Sequence, residues 1–245
     1  MKKMIALVCA VSLMLGLVGC GGSKPAPTEA SPTVLWMNGT YAVLTEINQW
    51  DYTLVGGAPA NAQSKSIQLQ ALKDWWSVTD RKTAEETLAW AIDEGHRAQF
   101  VEEMAGLEES GASDFTEDEL AELLVGYFDS PESSKVFAQN YTYYVNHKES
   151  NISAWDYSRA MSLLGWYYLA GYYTEAETLD QSLELAKVIQ EQFTSWDDFM
   201  ESYMVGYEYW AEEDSTQRRA VYEGIKAKPG SPFQLDWNTP LEKTW

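Results

Sequence analysis

The sequence predicts an all-α protein, in which a single compact multi-helix domain follows a signal peptide and a flexible tether. Three observations predict this class. Apolar residues beyond residue 34 recur almost throughout at the spacing of an amphipathic helix. Ser/Thr residues followed three positions later by Glu precede several apolar runs, as at helix N-termini. The chain has 245 residues and 45% hydrophobic residues, enough to build one core.

The N-terminus has the layout of a secretory signal. Lys2 and Lys3 precede an apolar run at residues 4–18, which is shorter than the roughly 18 to 20 residues that a spanning helix needs. The run ends at Leu17-Val18-Gly19-Cys20, which resembles a lipobox; in such signals the cysteine thiol is acylated and the peptidase cleaves before it. We therefore predict a lipoprotein signal peptide at residues 1–19 and lipidation of Cys20. The alternatives are an ordinary secretory signal or an uncleaved anchor.

Residues 20–33 form the predicted tether, because they are rich in small residues and proline and lack apolar periodicity. The helical domain is then expected at residues 34–245. Acyl chains on Cys20 would make the membrane the first partner, with the domain displayed on the extracytoplasmic face.

The composition excludes several function classes. The chain has 37 acidic and 17 basic residues and a net charge of −20, so we expect no nucleic-acid partner. Cys9 leaves with the signal and Cys20 carries lipid, which leaves the mature domain without a free thiol. With only His96 and His147 in addition, we expect no metal site and no cofactor.

The first half of the domain is expected to hold several short helices. Residues 34–47 have helical spacing, although Asn38-Gly39 between apolar residues is also a hairpin signal, so a small β-element near residues 34–44 is the alternative. A further helix is predicted to end near Val78. Thr83-Ala84-Glu85-Glu86 is interpreted as a capping box that starts the next helix.

The second half gives clearer helix signals. Thr116-Glu117-Asp118-Glu119 is a second capping box, and Ser130-Pro131 places proline at a first helical position. Residues 152–210 are predicted to form three helices. Thr174-Glu175-Ala176-Glu177 starts the second of these, and Ser195 caps the third.

Candidate functional residues are few. His96 has helical spacing from Ile92 and Phe100, which favours a hydrogen-bonded structural histidine over a general base. Asp156 and Arg159 are three residues apart and are expected to share a helix face, where they can pair with each other. Arg159 can also stack on Trp155. This group is either a pocket for a polar ligand or an ion pair that locks two helices, and we favour the ion pair.

Several further segments occur in a consistent order and spacing: Trp75 with Arg81, Gly95-His96-Arg97 with Phe100, residues 154–160, residues 170–172, residues 175–177, residues 195–199, residues 203–207 with Trp210, and residues 231–233 with Trp237. Together they resemble the bacterial domain of unknown function 1266 family. The departure is Phe233, where Trp is as common. The resemblance implies an all-helical domain whose motif residues converge, and it implies no reaction.

The same motif segments contain the candidate catalytic residues His96, Asp156, Arg159 and Glu175. Trp155, Asp156, Arg159, Trp196 and Trp237 are candidates for a binding or structural motif. Our first hypothesis is a binding module for an unidentified envelope ligand or protein partner. The second is an envelope enzyme with Asp156 or Glu175 as acid or base and His96 assisting. The third is a protective protein that neutralises a toxin through its acidic surface.

Overall fold

A computed structural model describes residues 30–245, and every regular element in that range is helical. The α-helices are Pro32–Gly39 (α1), Ala42–Ile47 (α2), Ala62–Trp76 (α3), Arg81–Asp93 (α4), Arg97–Glu109 (α5), Glu117–Leu124 (α6), Pro131–Asn146 (α7), Ser153–Ala170 (α8), Glu175–Gln192 (α9), Trp196–Ala211 (α10) and Thr216–Lys226 (α11). The predicted all-α class is confirmed for this range. The predicted signal peptide (residues 1–19), Cys20 and the tether up to residue 29 lie outside the described residues.

The domain begins with helix, and the alternative of a β-element near residues 34–44 is wrong. Ser31 caps α1, and Pro32 occupies its first turn, so the helix starts two residues before the predicted boundary. The Asn38-Gly39 pair ends this helix and does not turn a hairpin. The Tyr41 hydroxyl donates to the side-chain oxygen of the buried Asn38 at 2.7 Å. This hydrogen bond connects the end of α1 to the residue that precedes α2.

Helix α8 is the centre of the domain. It contacts α3, α4, α9 and α10, and almost all of its residues are buried. A helix that is apolar around its whole circumference is expected in a protein interior. Because α8 is buried, its polar residues, above all Asp156, need partners inside the protein.

No helix within residues 30–245 is long and apolar enough to cross a membrane.

Most predicted helix starts are confirmed. Thr116 and Thr174 form capping boxes with the glutamates three residues later, and Ser130 and Ser195 cap α7 and α10. The start predicted at Thr83 is wrong. There α4 begins at Arg81, capped by Asp80, and Thr83 is the third helical residue, which returns a hydrogen bond to the cap.

A second, smaller cluster of buried residues lies beside the main core, where α7 packs between α6 and α10. It is built on Phe100 and Met104 of α5, with Tyr144 of α7 and Val205 of α10. The chain ends by returning to its beginning: the Ser31 hydroxyl lies 2.7 Å from that of Thr244. Both ends of the described chain are thereby fixed to the same face.

Candidate functional site

His96, Asp156 and Arg159 meet where α4, α5 and α8 converge. The expectation that His96 continues the spacing of Ile92 and Phe100 on one helix is wrong. Gly95 has a φ of +59°, a left-handed conformation that breaks the chain between α4 and α5. His96 is consequently the N-cap residue of α5, with 23% of its side chain exposed.

Asp156 lies in the first turn of α8 and caps α5 from outside. Its Oδ1 accepts the backbone N–H of His96 at 2.8 Å, and its Oδ2 accepts that of Arg97 at 2.9 Å. The Arg97 guanidinium lies 3.3 Å from Oδ2. A carboxylate at this position satisfies free N–H groups and the positive end of the helix dipole. Because Asp156 is 1% exposed, its oxygens are committed to the fold.

Arg97 completes the junction from the other side. Its guanidinium donates to the carbonyl oxygen of Ala91 at 3.2 Å and to that of Ile92, which are among the last carbonyls of α4. It also lies over the Tyr157 ring, 5.2 Å from the centroid. Arg97 therefore caps the C-terminal end of α4, and Asp156 caps the N-terminal end of α5. We call the Gly95-His96-Arg97 segment between the two helices the helix joint.

The joint gives a matched pair of glycine predictions. A Cβ at Gly95 would lie 2.1 Å from an Asp156 oxygen, and φ is positive there. Gly95→Ala should therefore lower the free energy of unfolding by about 1–3 kcal/mol. Gly106, inside α5, has nothing within 4 Å of such an atom. Gly106→Ala should raise stability by about 0.5–1 kcal/mol. Urea denaturation measures the free energy of unfolding of both variants. Equal changes in the two variants would contradict the close contact between Gly95 and Asp156 at the helix joint.

The expected direct ion pair between Asp156 and Arg159 is wrong: within the described chain, Asp156 lies 3.3 Å from the Arg97 guanidinium and 3.4 Å from Nδ1 of His96. Arg159 instead places Nη1 2.7 Å from Nδ1 of His96. Arginine only donates, so Nδ1 of His96 is the acceptor in this contact. Burial lowers the pKa of Arg159 to about 10, although the charge of Asp156, which makes no direct contact with it, acts in the opposite direction. The guanidinium is therefore still charged at neutral pH.

The predicted stacking of Arg159 on Trp155 is confirmed, and it belongs to a larger surface. The guanidinium lies 4.4 Å from the Trp76 ring centroid and 5.2 Å from that of Trp155. Trp155 also packs against Trp210, with ring centroids 5.6 Å apart. Arg218 lies 6.0 Å from the Trp155 centroid. Two arginines therefore lie within 6.0 Å of the Trp155 ring centroid.

Arg218 is held by α10. It lies 4.0 Å over the Tyr207 ring and donates to the Tyr203 hydroxyl at 2.7 Å. Gly206 lets α10 approach, because a Cβ there would lie 2.2 Å from the Trp155 Cβ. We name the following set the arginine–aromatic surface: Trp76, Trp155, Arg159, Tyr207, Trp210 and Arg218.

Sequence reasoning missed Trp76 and Arg218 as members of this surface. Trp76 belongs to α3 and Arg218 to α11, and no local spacing relates them to Trp155. The aromatic spacing of Tyr207 and Trp210 in α10 was a usable signal, since it predicts which face of α10 meets Trp155.

Glu175 does not join the other candidates. It is the exposed first residue of α9 and lies beside Tyr168, whose pKa is raised by burial and by the Glu175 charge. Tyr168 is twelve residues from Asp156 on α8, which is about 18 Å along the helix axis. The structure thus does not bring Glu175 into one pocket with His96, Asp156 and Arg159.

Trp196 and Trp237 lie in the core. Their ring centroids are 4.9 Å apart, and both rings pack against Trp36. The indole N–H of Trp237 donates to the Phe193 carbonyl at 2.8 Å, while that of Trp196 donates to a backbone carbonyl near the C-terminus. Phe233 fills the position where Trp is also expected and meets Trp196 edge-on at 5.3 Å. These motif aromatics hold the two chain ends together.

Comparison with known proteins gives one relationship. No curated protein sequence and no solved structure matches the chain. A family model described as protein of unknown function (DUF1266) matches residues 71–237. This range contains the helix joint, the arginine–aromatic surface and the buried tryptophans 196 and 237, and it spans more than half of the sequence. The chain belongs to the DUF1266 family.

Proposed function

We propose that this protein is a lipid-anchored protein on the outer face of a bacterial membrane, and that its domain binds an anionic, sugar-bearing component of the cell envelope. The lipobox-like sequence before Cys20 supports the anchor. The arginine–aromatic surface supports the binding role. It presents two stacked guanidinium groups without a carboxylate partner on a strongly acidic domain.

The contrast among the five arginines of the chain makes this surface stand out. Arg81, Arg97 and Arg219 each form an ion pair with a carboxylate. Within residues 30–245, Arg159 and Arg218 have no carboxylate oxygen within 4 Å and contact a histidine and a tyrosine hydroxyl instead. In a domain so rich in acid, two arginines in this state leave positive charge available to a ligand.

The chemistry of the surface fits an anionic saccharide. A guanidinium can hold a carboxylate or phosphate through two parallel hydrogen bonds. Trp210 is 45% exposed, and half-buried Trp76 and Tyr207 add aromatic area on which sugar rings can stack. The buried indole N–H of Trp155 has no hydrogen-bond partner among the described residues. An anion would also offset the partial desolvation of Arg159.

An enzymatic role is less well supported. The oxygens of Asp156 are occupied by the helix joint, and Glu175 lies near the opposite end of α8. Toxin neutralisation would rest on acidic charge alone, and no contact among residues 30–245 favours it. Binding through arginine is therefore the function we develop.

Binding is tested on the soluble chain beginning at residue 21, with an oligomer of galacturonic acid as probe and a neutral galactose oligomer as control. We expect thermal stabilisation by the anionic oligomer alone, weakening as salt rises. Arg159→Met and Arg218→Met should each weaken binding at least tenfold, because methionine retains the packing of the aliphatic stem. Arg81→Met, which removes an arginine already paired with Glu177, should bind normally. Equal affinity in all three variants would refute the role of this surface.

The anchor has a separate test. Cys20→Ser should abolish incorporation of a labelled fatty acid in cells and leave the protein released or unprocessed, since the acylated thiol is lost. Cys9→Ser changes the other cysteine of the chain and should leave labelling intact. Labelling that persists in Cys20→Ser would disprove lipidation at this residue.

A further inference from the structure

We infer that a second binding site lies in the cavity between α7, α10 and the start of α11, and that it takes a small polyhydroxylated amine of the amino-sugar class. The cavity has a volume of about 360 Å³. Its lining includes Asn140, Tyr143, Glu201, Glu208, Asp214 and Arg219. None of these residues belongs to the arginine–aromatic surface, so this site is separate from the one proposed above.

The Asn140 side chain lacks hydrogen-bond partners. It is 1% exposed, yet neither its side-chain nitrogen nor its side-chain oxygen makes a hydrogen bond within residues 30–245. The buried hydroxyl of Tyr143 lies near the side chains of Ser202 and Ser150, but it makes no hydrogen bond of good geometry with either of them. A buried polar group without a partner destabilises the fold, so buried polar atoms almost always have partners. A ligand that both donates and accepts would satisfy Asn140.

The charges of the lining favour a cation. Arg219 is already held by Glu201 through bonds of 2.5 and 2.8 Å, and its Nε donates to Ser215. Glu208 accepts from the Ser215 hydroxyl at 2.5 Å and from the Ser215 backbone N–H at 3.2 Å, both through Oε1, which also lies 3.9 Å from an Arg219 nitrogen; its Oε2 makes none of these contacts. With Asp214, the lining has three carboxylates against one committed guanidinium. A ligand ammonium group can therefore be balanced here, whereas a ligand carboxylate would find no free cation.

Size and chemistry together select the ligand class. The volume is at the lower end of the range for small-molecule pockets, which suits a single sugar-sized molecule and not a polymer. An amino acid would bring its own carboxylate into an acidic cavity. An amino sugar instead brings an ammonium group for Glu208 and Asp214, and hydroxyls that can pair with Asn140 and Tyr143.

Calorimetric titration of D-glucosamine hydrochloride into the soluble chain tests the inference, with glucose at matched salt as the neutral probe. We expect glucose to bind at least tenfold more weakly than glucosamine. Asn140→Leu should weaken glucosamine binding at least tenfold while leaving the melting temperature unchanged or higher, because two unpaired polar atoms are removed. Tyr143→Phe should also weaken binding.

The matched control is Tyr167→Phe, which removes another buried and unpartnered hydroxyl, in the main core away from the cavity. It should bind glucosamine normally, and so should Arg159→Met, which separates this site from the arginine–aromatic surface. Absence of glucosamine binding at millimolar concentration, or equal binding of glucose, overturns the inference. Normal glucosamine binding by Asn140→Leu, or by Tyr143→Phe if the leucine variant does not fold, also overturns it, and the cavity then holds water only.

Discussion

Asp156→Ala is expected to lower the free energy of unfolding by about 3–5 kcal/mol, a large fraction of the stability of a typical domain. The change leaves the N–H groups of His96 and Arg97 without their acceptor and the Arg97 guanidinium without its carboxylate. Removal of one partner from a buried ion pair costs more than the pair contributes, because the remaining charge stays desolvated. Urea denaturation of the soluble chain measures the loss.

Two further variants test whether the lost stability comes from the buried charge of Asp156. Asp156→Asn retains the shape but removes the charge, and its amide N–H₂ would face an existing donor, so it should also be strongly destabilising. Asp180→Ala removes an exposed carboxylate that pairs with Lys243 at 2.6 Å and accepts from the Trp245 indole, and it should change stability far less than Asp156→Ala. If Asp156→Ala folds normally and loses only a cellular phenotype, Asp156 belongs to a functional site and not to the helix joint.

Local sequence signals predicted much of the fold. Capping at Thr116, Thr174 and Ser195 was predicted correctly, because each cap bonds to a backbone N–H three residues later, and at the two threonines a glutamate there returns a hydrogen bond. The error at Thr83 has the same origin. Asp80 and Thr83 also satisfy a capping pattern three residues apart, and a choice between two overlapping starts depends on the tertiary packing of α4.

The candidate site was predicted less completely, because its contacts are not local. The spacing of Asp156 and Arg159 correctly indicated two charged residues on adjacent turns of α8. Their partners, however, come from the loop at Gly95–Arg97, about sixty residues earlier in the chain. The positive φ of Gly95 turns two backbone N–H groups toward Asp156, and that competes successfully with pairing to Arg159.

The family motifs are thus divided between two roles. Asp156, Trp196 and Trp237 are buried and hold helices or chain ends in place. Arg159 and Trp210 lie at the edge of the same core, where the motif reaches the surface. A motif that encodes mainly a fold explains why the resemblance alone implied no reaction. It also directs the search for a ligand to the partly exposed motif residues.

Trp237→Ala is expected to destabilise the domain by about 3–5 kcal/mol, because a large buried ring is removed and the cavity is only partly refilled. The Trp237 ring is 5% exposed and lies 5.0 Å from that of Trp36 and 4.9 Å from that of Trp196. The substitution also removes the indole donor to the Phe193 carbonyl. Since Trp36 belongs to α1, the N-terminal helix should loosen together with the C-terminus.

Trp75→Ala is the matched control, since the Trp75 side chain is 62% exposed and the same truncation there should change stability by no more than about 0.5 kcal/mol. Trp237→Phe should fall between the two, because it keeps an aromatic ring but loses the N–H donor. Chemical denaturation gives the free energies, and hydrogen exchange of the α1 amides reports the loosening of that helix. A Trp237→Ala protein as stable as Trp75→Ala, with the α1 amides still protected, would show that the joining of the chain ends does not depend on Trp237.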